Sequence, residues 1–264
     1  MSTKPVSVSA CMAVHNEEER IGPTLERVID WVDEVVVIDG ESTDKTVKIA
    51  QSFGKKVRIY HEKNAPNFIE NKQRAIERAQ SAWTLELDAD ELVTDELQDE
   101  IMEAVTTDKA GFRIPRLNHF LGKPLKKGGQ YPDLKFRLYR TGFARFPLRS
   151  VHDEAALTTE HAGMPIGELS CPLLHYPYAS IAVYMRKTVQ YAQFEADVLY
   201  DRGIRPSTGL WTQYYIGKPL YWFVLTYLRH RGYVDGFPGF AFSLFSSIRY
   251  LFEYAALYER STRT

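Results

Sequence analysis

Apolar strand patterns alternate with helical patterns along the first 90 residues, and this alternation constrains the fold more than any other feature. Strands are predicted at 6–14, 35–38, 57–60 and 83–87, with a helical pattern after each of the first three. Strands that alternate with helices form mostly parallel sheets through right-handed crossovers. We therefore predict an α/β fold whose sheet is parallel in its first half.

The pattern changes in the second half of the chain. Strands predicted at 112–115 and 134–138 make the sheet mixed, and a loop at 122–132 carries three lysines between them. From Ser180 onward the apolar period becomes helical and the chain is rich in aromatic residues. We predict an α/β domain at 1–178 and an aromatic-rich helical region at 179–264.

Carboxylates follow two of the predicted strands. Asp39 ends the second strand, and Asp88, Asp90 and Glu91 follow the fourth. The carboxyl ends of parallel strands share one edge of a sheet, so these side chains are expected to converge there. Carboxylates of this kind bind Mg²⁺ or Mn²⁺ that also carries substrate phosphates. A D-x-D alone is common on solvated loops, and the convergence with Asp39 is what favours a metal-bound diphosphate.

Composition excludes several other classes of protein. The 264 residues carry a formal net charge of −1, which gives no electrostatic footprint for nucleic acid. Two cysteines predict neither a disulfide framework nor a zinc site. The N-terminus lacks the apolar core of a signal peptide, and no apolar run reaches the ~18–20 residues of a spanning helix. We expect a cytoplasmic protein that does not cross the membrane.

Five motifs narrow the class further. They are V-H-N-E-E-E-R-I at 14–21, V-I-D-G-E-S-T-D-K-T at 37–46, N-K-Q-R-A-I at 71–76, L-E-L-D-A-D-E at 85–91 and V-H-D-E at 151–154. Together they resemble the family 2 inverting glycosyltransferases of GT-A fold. With L-H-Y-P-Y at 174–178 and R-G-Y-V-D-G-F at 231–237, the chain looks like the subgroup that adds sugars to the lipopolysaccharide inner core, the β-1,4-glucosyltransferase type.

That resemblance implies a metal-dependent, inverting hexosyltransferase whose nucleotide-sugar-binding and catalytic domain is 1–178. Its donor would be a UDP-linked nucleotide sugar, and its acceptor a glycan or lipid-linked saccharide such as lipopolysaccharide core. The donor-binding residues that it implies are Asn16, Glu17, Glu18, Asp39, Ser42, Asn71, Lys72 and Asp88. Asp39 matches the carboxylate that accepts a hydrogen bond from the donor base, and Glu41 replaces the glycine usual in this motif.

The metal would be Mg²⁺ or Mn²⁺. By resemblance, Asp90 is its direct ligand and Asp88 lies near the ribose and a metal-bound water. His175 is a candidate to complete the metal shell, and a buried histidine bonded to backbone is the equal alternative. Lys72 and Arg74 are candidates to neutralise the diphosphate, although lysines and arginines on helices more often face solvent.

Inversion requires a general base that removes the proton of the acceptor hydroxyl. His152, Asp153 and Glu154 are the candidates, and by its place after the histidine Asp153 matches the base of the family best. In a β-strand Asp153 and Glu154 would point to opposite faces, so one of them would face the sugar. Glu154 remains the alternative.

Other partners are left open by the sequence. The C-terminal aromatic residues fit a helical core, a peripheral contact with the inner membrane face, or self-association into a homo-oligomer. The lysine loop with Arg145 and Arg149 suits an acidic acceptor. Rival functions are a nucleotidyltransferase, which the acidic loop at 15–20 disfavours, and a catalytically silent glycan-binding protein, which the intact D-x-D disfavours.

Overall fold

The computed structural model describes residues 6–65, 67–148 and 153–263. The chain divides into two compact units, the first made of Met1–Arg116 and Asp133–His175, the second of Leu117–Pro132 and Tyr176–Thr264. Segment 117–132 therefore belongs to the same unit as the C-terminal helices, whereas the sequence predicts a single boundary near residue 178. His152 and Arg149 lie outside the described residues.

The elements up to residue 120 are β1 (Val8–Val14), α1 (Ile21–Glu26), β2 (Glu34–Asp39), α2 (Thr46–Ser52), β3 (Val57–His61), α3 (Ile69–Glu77), β4 (Trp83–Glu86), β5 (Glu91–Leu92), α4 (Asp95–Ala104) and β6 (Gly111–Phe120). Six strands follow: β7 (Lys123–Pro124), β8 (Asp133–Arg140), β9 (Ala144–Arg145), β10 (Ala156–Leu157), β11 (Ile166–Glu168) and β12 (Leu173–His175). The helices after them are α5 (Ile181–Asp201), α6 (Thr208–Thr212), a π-helix (Gln213–Gly217), α7 (Lys218–Phe223), a second π-helix (Val224–Arg229), a 3₁₀-helix (Gly232–Asp235) and α8 (Gly236–Thr262).

The sheet has the strand order β3-β2-β1-β4-β8-β6-β12-β5. The pairs β3–β2, β2–β1 and β1–β4 are parallel, whereas β8 is antiparallel to β4 and to β6. This confirms the mixed α/β sheet that is parallel in its first half, with a helical C-terminal region. All six residues of β2 are buried, as expected for a β-branched strand covered on both faces.

The register brings the polar strand ends to one edge. Val14 of β1 pairs with Asp39 of β2, so the loops that follow these two strands start side by side. Thr94 caps α4 by accepting a hydrogen bond from the Leu97 amide at 3.1 Å. α4 therefore begins directly after β5, and the acidic turn 88–91 lies between β4 and α4.

The first helix is shorter than predicted from the apolar residues at 25, 28, 29 and 32, whose i, i+3, i+4, i+7 spacing indicates a helix that reaches residue 32. Leu25, Val28 and Val32 are buried as expected, but α1 ends at Glu26. The amides of Arg27 and Val28 donate to carbonyls three residues earlier, so the chain continues as tight turns that keep the same residues buried.

The second unit is built around Phe120, which is buried against Tyr184 and Phe242 with ring centroids 5.1 and 5.7 Å away. Ser180 caps α5 by accepting from the Val183 amide at 3.3 Å. Among the helices of the described residues, none combines the length and apolar character needed to span a bilayer.

Candidate active site

The loops after β1 and β2 are fastened to each other through side chains. Asn16, whose φ is +56°, accepts a hydrogen bond from the Thr43 amide at 2.8 Å, and its own amide donates to Ser42 Oγ at 2.9 Å. The Glu18 carboxylate accepts from the Lys45 amide at 3.0 Å. Asn16, Ser42 and Glu18 thus lie together at the carboxyl edge, where they shape the loops.

Asp39 lies beneath these loops and is 2% exposed. Its Oδ1 accepts from the Ser42 amide at 3.2 Å, and its Oδ2 lies 3.1 Å from His61 Nδ1. Each carboxylate oxygen has two lone pairs, so both can accept a second hydrogen bond. Asp39 is therefore a fixed acceptor at the edge of the sheet.

Asp88 does not stand alone at the end of β4, because two buried cations hold it. Lys72 Nζ lies 2.5 Å from Asp88 Oδ1, and Arg137 of β8 lies 2.7 Å from Asp88 Oδ2. Arg137 also pairs with Glu86 and lies 3.0 Å from Glu91. One guanidinium therefore joins three carboxylates from β4 and the turn that follows it.

Burial and ion pairing shift the pKa values of three of these side chains. Burial alone would raise the pKa of Asp88, but the charges of Lys72 and Arg137 outweigh it and hold that pKa well below its usual range. For Glu91 burial dominates over Arg137 and raises the pKa. Burial likewise opposes the charge of Lys72, yet Asp88 and its acidic neighbours raise the pKa of this lysine.

Asp90 turns to the other side of the acidic turn. Its carboxylate lies 3.6 Å from His175 Nε2 and 3.8 Å from an Arg20 nitrogen. His175 arrives there because β12 pairs with β5, which puts it opposite Glu91. Burial, with the charge of Arg116 beside it, lowers the pKa of His175 to about 2. The imidazole is therefore neutral at pH 7, as a metal ligand must be.

The residues present fit a divalent ion whose coordination shell would be completed by substrate oxygens. Asp90 and His175 offer an oxygen and a neutral nitrogen 3.6 Å apart, a separation that one ion can bridge with bonds of about 2 Å. Throughout the described ranges, no group of three or more His, Cys, Asp or Glu is placed to hold a metal by itself. Asp88 is paired with Lys72 and Arg137, so Asp90 and His175 are the residues that would hold such an ion.

A cleft of about 190 Å³ opens beside Asp88. Its lining includes Lys72, Asp88, Arg137, Asp153 and Glu154. The expectation that Asp153 and Glu154 point to opposite faces is wrong, because residues 153–155 are not a strand. Both candidate bases line the same cleft.

Other predicted residues are placed in structural contacts. Asn71 is buried, donates to the Lys63 carbonyl at 3.2 Å and accepts from Arg74 at 2.8 Å. Arg74 is thereby directed to Asn71 and, at 3.6 Å, to Glu62. Glu17 lies 3.3 Å from Arg20, the residue that also approaches Asp90.

Sequence reasoning missed the cations of β8 and β6. Arg116 pairs with Asp133 at 2.7 Å, and Lys135 lies 2.5 Å from Glu154. Asp133, Lys135 and Arg137 are spaced by two along β8, so the alternation that predicted the strand also marks a charged face. That periodic charge was the signal in the sequence.

The fold is a mixed α/β sheet with an acidic turn at its carboxyl edge, and the cleft beside that turn contains further carboxylates. A family model described as Glycosyl transferase family 2 matches residues 9–156. An uncharacterized glycosyltransferase of Rickettsia felis is 31% identical, with 92% of this chain and 87% of the relative covered.

Lipopolysaccharide core biosynthesis glycosyltransferase LpsC of Rhizobium meliloti is 25% identical, with 96% of this chain and 92% of LpsC covered. Among solved structures, mannosyltransferase PcManGT from Pyrobaculum calidifontis, in complex with GDP-Man and Mn²⁺, has a TM-score of 0.53 at 14% identity, covering 96% of this chain and 76% of that one. At this identity the likeness concerns the fold. The chain belongs to glycosyl transferase family 2 and is a glycosyltransferase.

Proposed function

We propose that the protein is a metal-dependent, inverting hexosyltransferase that uses a nucleotide sugar, UDP-linked, and a glycan acceptor of the lipopolysaccharide core type. The observation that carries this proposal is the shared cleft, since Asp88 of the D-x-D and the candidate bases Asp153 and Glu154 line the same space. Donor and acceptor chemistry meet in such a space. The likeness to LpsC supports the acceptor class.

The charge of the cleft supports metal dependence. Its described lining contains four cations, Lys72, Arg116, Lys135 and Arg137, and four carboxylates, Glu86, Asp88, Asp153 and Glu154. A diphosphate entering a cleft without net positive charge needs another source of cations. Asp90 and His175, which are not part of the described lining of this cleft, would hold a divalent ion, and that ion would supply positive charge to the leaving diphosphate.

The residues of the chain have separate roles in binding the donor base and in proton transfer. Asp39 accepts a hydrogen bond from the donor base, for which the N3–H of uracil is suited, while Asn16 and Ser42 fix the loops around it. Asp153 accepts the proton of the acceptor hydroxyl as that oxygen attacks the anomeric carbon from the face opposite the diphosphate.

Asp153 is preferred to Glu154 as the base because, by its place after the histidine at 152, it matches the base of the family best. The Glu154 carboxylate lies 2.5 Å from Lys135 and can orient this lysine in the cleft. Lys135 also lies 3.3 Å from Asp133, which keeps the lysine on the cleft wall.

The test is a screen of UDP-, GDP- and ADP-sugars by thermal shift and donor hydrolysis, with and without Mn²⁺. We expect a metal-dependent response to one nucleotide, lost in Asp90→Ala and kept in Asp95→Ala. Asp95 is the matched control because its carboxylate is exposed on α4 and pairs with Arg27. No response to any nucleotide sugar would refute the proposal and favour a catalytically silent binding protein.

The acceptor is tested separately with truncated lipopolysaccharide core oligosaccharides and the donor that the screen identifies. Transfer with inversion at the anomeric carbon is expected, and Asp153→Asn should retain the metal-dependent thermal shift while losing transfer. Transfer with retention of configuration would overturn the assignment of a single base.

A further inference from the structure

The second unit exposes a row of apolar side chains along its helices. Ile216, Leu220, Val224 and Leu228 are 53%, 62%, 41% and 54% exposed, and we call these four residues the apolar row. They are spaced by four along a continuous helical run from α6 through the second π-helix. A π-turn contains more residues than an α-turn, so the two π-helices help to keep a spacing of four on one face.

The opposite face of the same run is already buried. Tyr214 is 4% exposed and its ring centroid lies 6.3 Å from that of Tyr254 on α8. Trp222 Nε1 donates to Ser246 Oγ of α8 at 3.1 Å, and Thr226 is 3% exposed. The run is therefore apolar on both faces, and packing within the second unit accounts for one face alone.

Positive charge borders the apolar row at its C-terminal end. Arg229 and Arg231 follow Leu228 directly and are exposed. The lysine loop at 123–127 is fastened beside them, because the Lys127 amide donates to Asp235 at 2.8 Å and the Gly128 amide donates to the His230 carbonyl at 2.9 Å. We call Lys123, Lys126, Lys127, Arg229 and Arg231 the basic border.

The turn that holds this border is tightly packed. A Cβ on Gly232 would lie 2.8 Å from the Thr226 carbonyl oxygen, and one on Gly239 would lie 2.0 Å from the Gly232 carbonyl oxygen. Such backbone approach leaves no room for a side chain. The basic border is therefore presented at a fixed place relative to the apolar row.

Charge in this part of the chain is one-sided. Segments 117–132 and 202–248 together contain eight lysines and arginines and a single acid, Asp235, whereas the whole chain has 33 basic and 34 acidic residues. From this asymmetry we propose that the apolar row and basic border form a docking surface for an anionic lipid bilayer. The apolar row enters the headgroup region while the basic border contacts lipid phosphates.

A second copy of the chain fits this surface less well. A two-fold contact would place the basic border of each copy close to that of the other, and like charges in an interface repel. An anionic bilayer satisfies both the exposed apolar area and the excess of positive charge. This inference stands independently of the donor, the acceptor and the metal.

The test uses the purified full chain and large unilamellar vesicles of phosphatidylcholine, with or without phosphatidylglycerol, in a co-sedimentation assay. We expect binding to the anionic vesicles that weakens in high salt. The double variant Lys126→Gln/Arg229→Gln should bind roughly 30-fold more weakly, since each cation near an anionic surface contributes about fivefold. Lys48→Gln/Lys55→Gln, which removes the same charge from exposed positions of the first unit, should bind as wild type does.

The apolar row is tested by Leu220→Ser, which should weaken vesicle binding roughly tenfold. Tyr258→Ser is the matched control, because Tyr258 is 55% exposed and lies on α8, outside the apolar row. Circular dichroism checks that each variant is folded. Absence of binding to anionic vesicles, or binding that neither variant weakens, would overturn the proposal. An oligomer that Leu220→Ser dissociates, without any vesicle binding, would overturn it in favour of a second copy.

Discussion

Replacing Arg137 by methionine removes the cation that joins Glu86, Asp88 and Glu91. The Arg137 side chain is 7% exposed, and those of Glu86 and Glu91 are 4% and 0% exposed. Loss of one partner of a buried ion pair costs about 3–5 kcal/mol, because the remaining charge stays buried without compensation. Lys72 still contacts Asp88 and Glu86, so we expect about 3 kcal/mol, the lower end of that range.

The destabilisation caused by Arg137→Met should depend on pH with a defined sign. The pKa of Asp88 is lowered in the folded state, so the loss of its contribution to stability lies below about pH 4 and outside the compared pH range. The pH dependence comes from Glu91, because removing Arg137 raises the pKa of Glu91 further and protonation then relieves its buried charge. The stability difference from wild type should be largest near pH 7.5 and shrink towards pH 4.

Urea unfolding followed by circular dichroism measures this difference at both pH values. Arg140→Met is the control, because Arg140 lies on the same strand but donates to the backbone carbonyls of Lys109 and Thr107 at 3.0 and 2.8 Å. Its effect should be smaller and independent of pH. A cost below about 1 kcal/mol for Arg137→Met, or a cost that grows as the pH falls, would refute the role assigned to the buried ion pairs.

Three further predictions concern the base and two local structures. Asp153→Asn should lower the rate of sugar transfer by roughly 10²–10⁴-fold, measured with labelled donor, whereas Glu154→Gln should lower it less; the reverse order would make Glu154 the base. Gly111→Ala should destabilise the fold by about 1–3 kcal/mol, because a Cβ there would lie 2.6 Å from the ring of Phe136. Gly163→Ala is the control, because a Cβ at Gly163 has no atom within 4 Å. Equal melting temperatures of the two variants would contradict this prediction. Thr94→Ala should cost about 1 kcal/mol through the loss of the α4 cap, and full retention of stability in urea would show that the cap is dispensable.

The parts of the fold that depend on local pattern are predictable from the sequence. The β-branched run of β2 and the apolar stretch of β4 identify two strands, of which β2 ends at Asp39 and β4 ends two residues before Asp88. The parallel order of the first strands follows from the crossover rule. The carboxyl edge and its acidic turn are therefore accessible without a structure.

The surroundings of Asp88 are not accessible in this way. Arg137 reaches Asp88 because β8 pairs with β4, and that pairing joins residues about 50 positions apart. Local pattern identifies β8 as a strand without identifying its neighbour. For the same reason, the alternation rule applied to Asp153 and Glu154 failed, since it presumed a strand where the chain forms a loop.

The second unit shows a similar limit. The apolar period predicts helices in this region, but the density of aromatic residues between 210 and 258 does not separate the buried face of Tyr214 from the exposed face of Leu220. That separation depends on where α8 packs, which is a tertiary property. The sequence alone therefore leaves the three interpretations of this region open.

The pair formed by Glu86 and Arg137 also constrains how this chain can change during evolution. Losing either residue alone leaves the other buried charge with fewer partners, whereas replacing both with well-packed apolar residues can be nearly neutral. Single-step paths between these two solutions pass through an unstable intermediate. Among relatives, the two positions should therefore covary, with both charges kept or both lost.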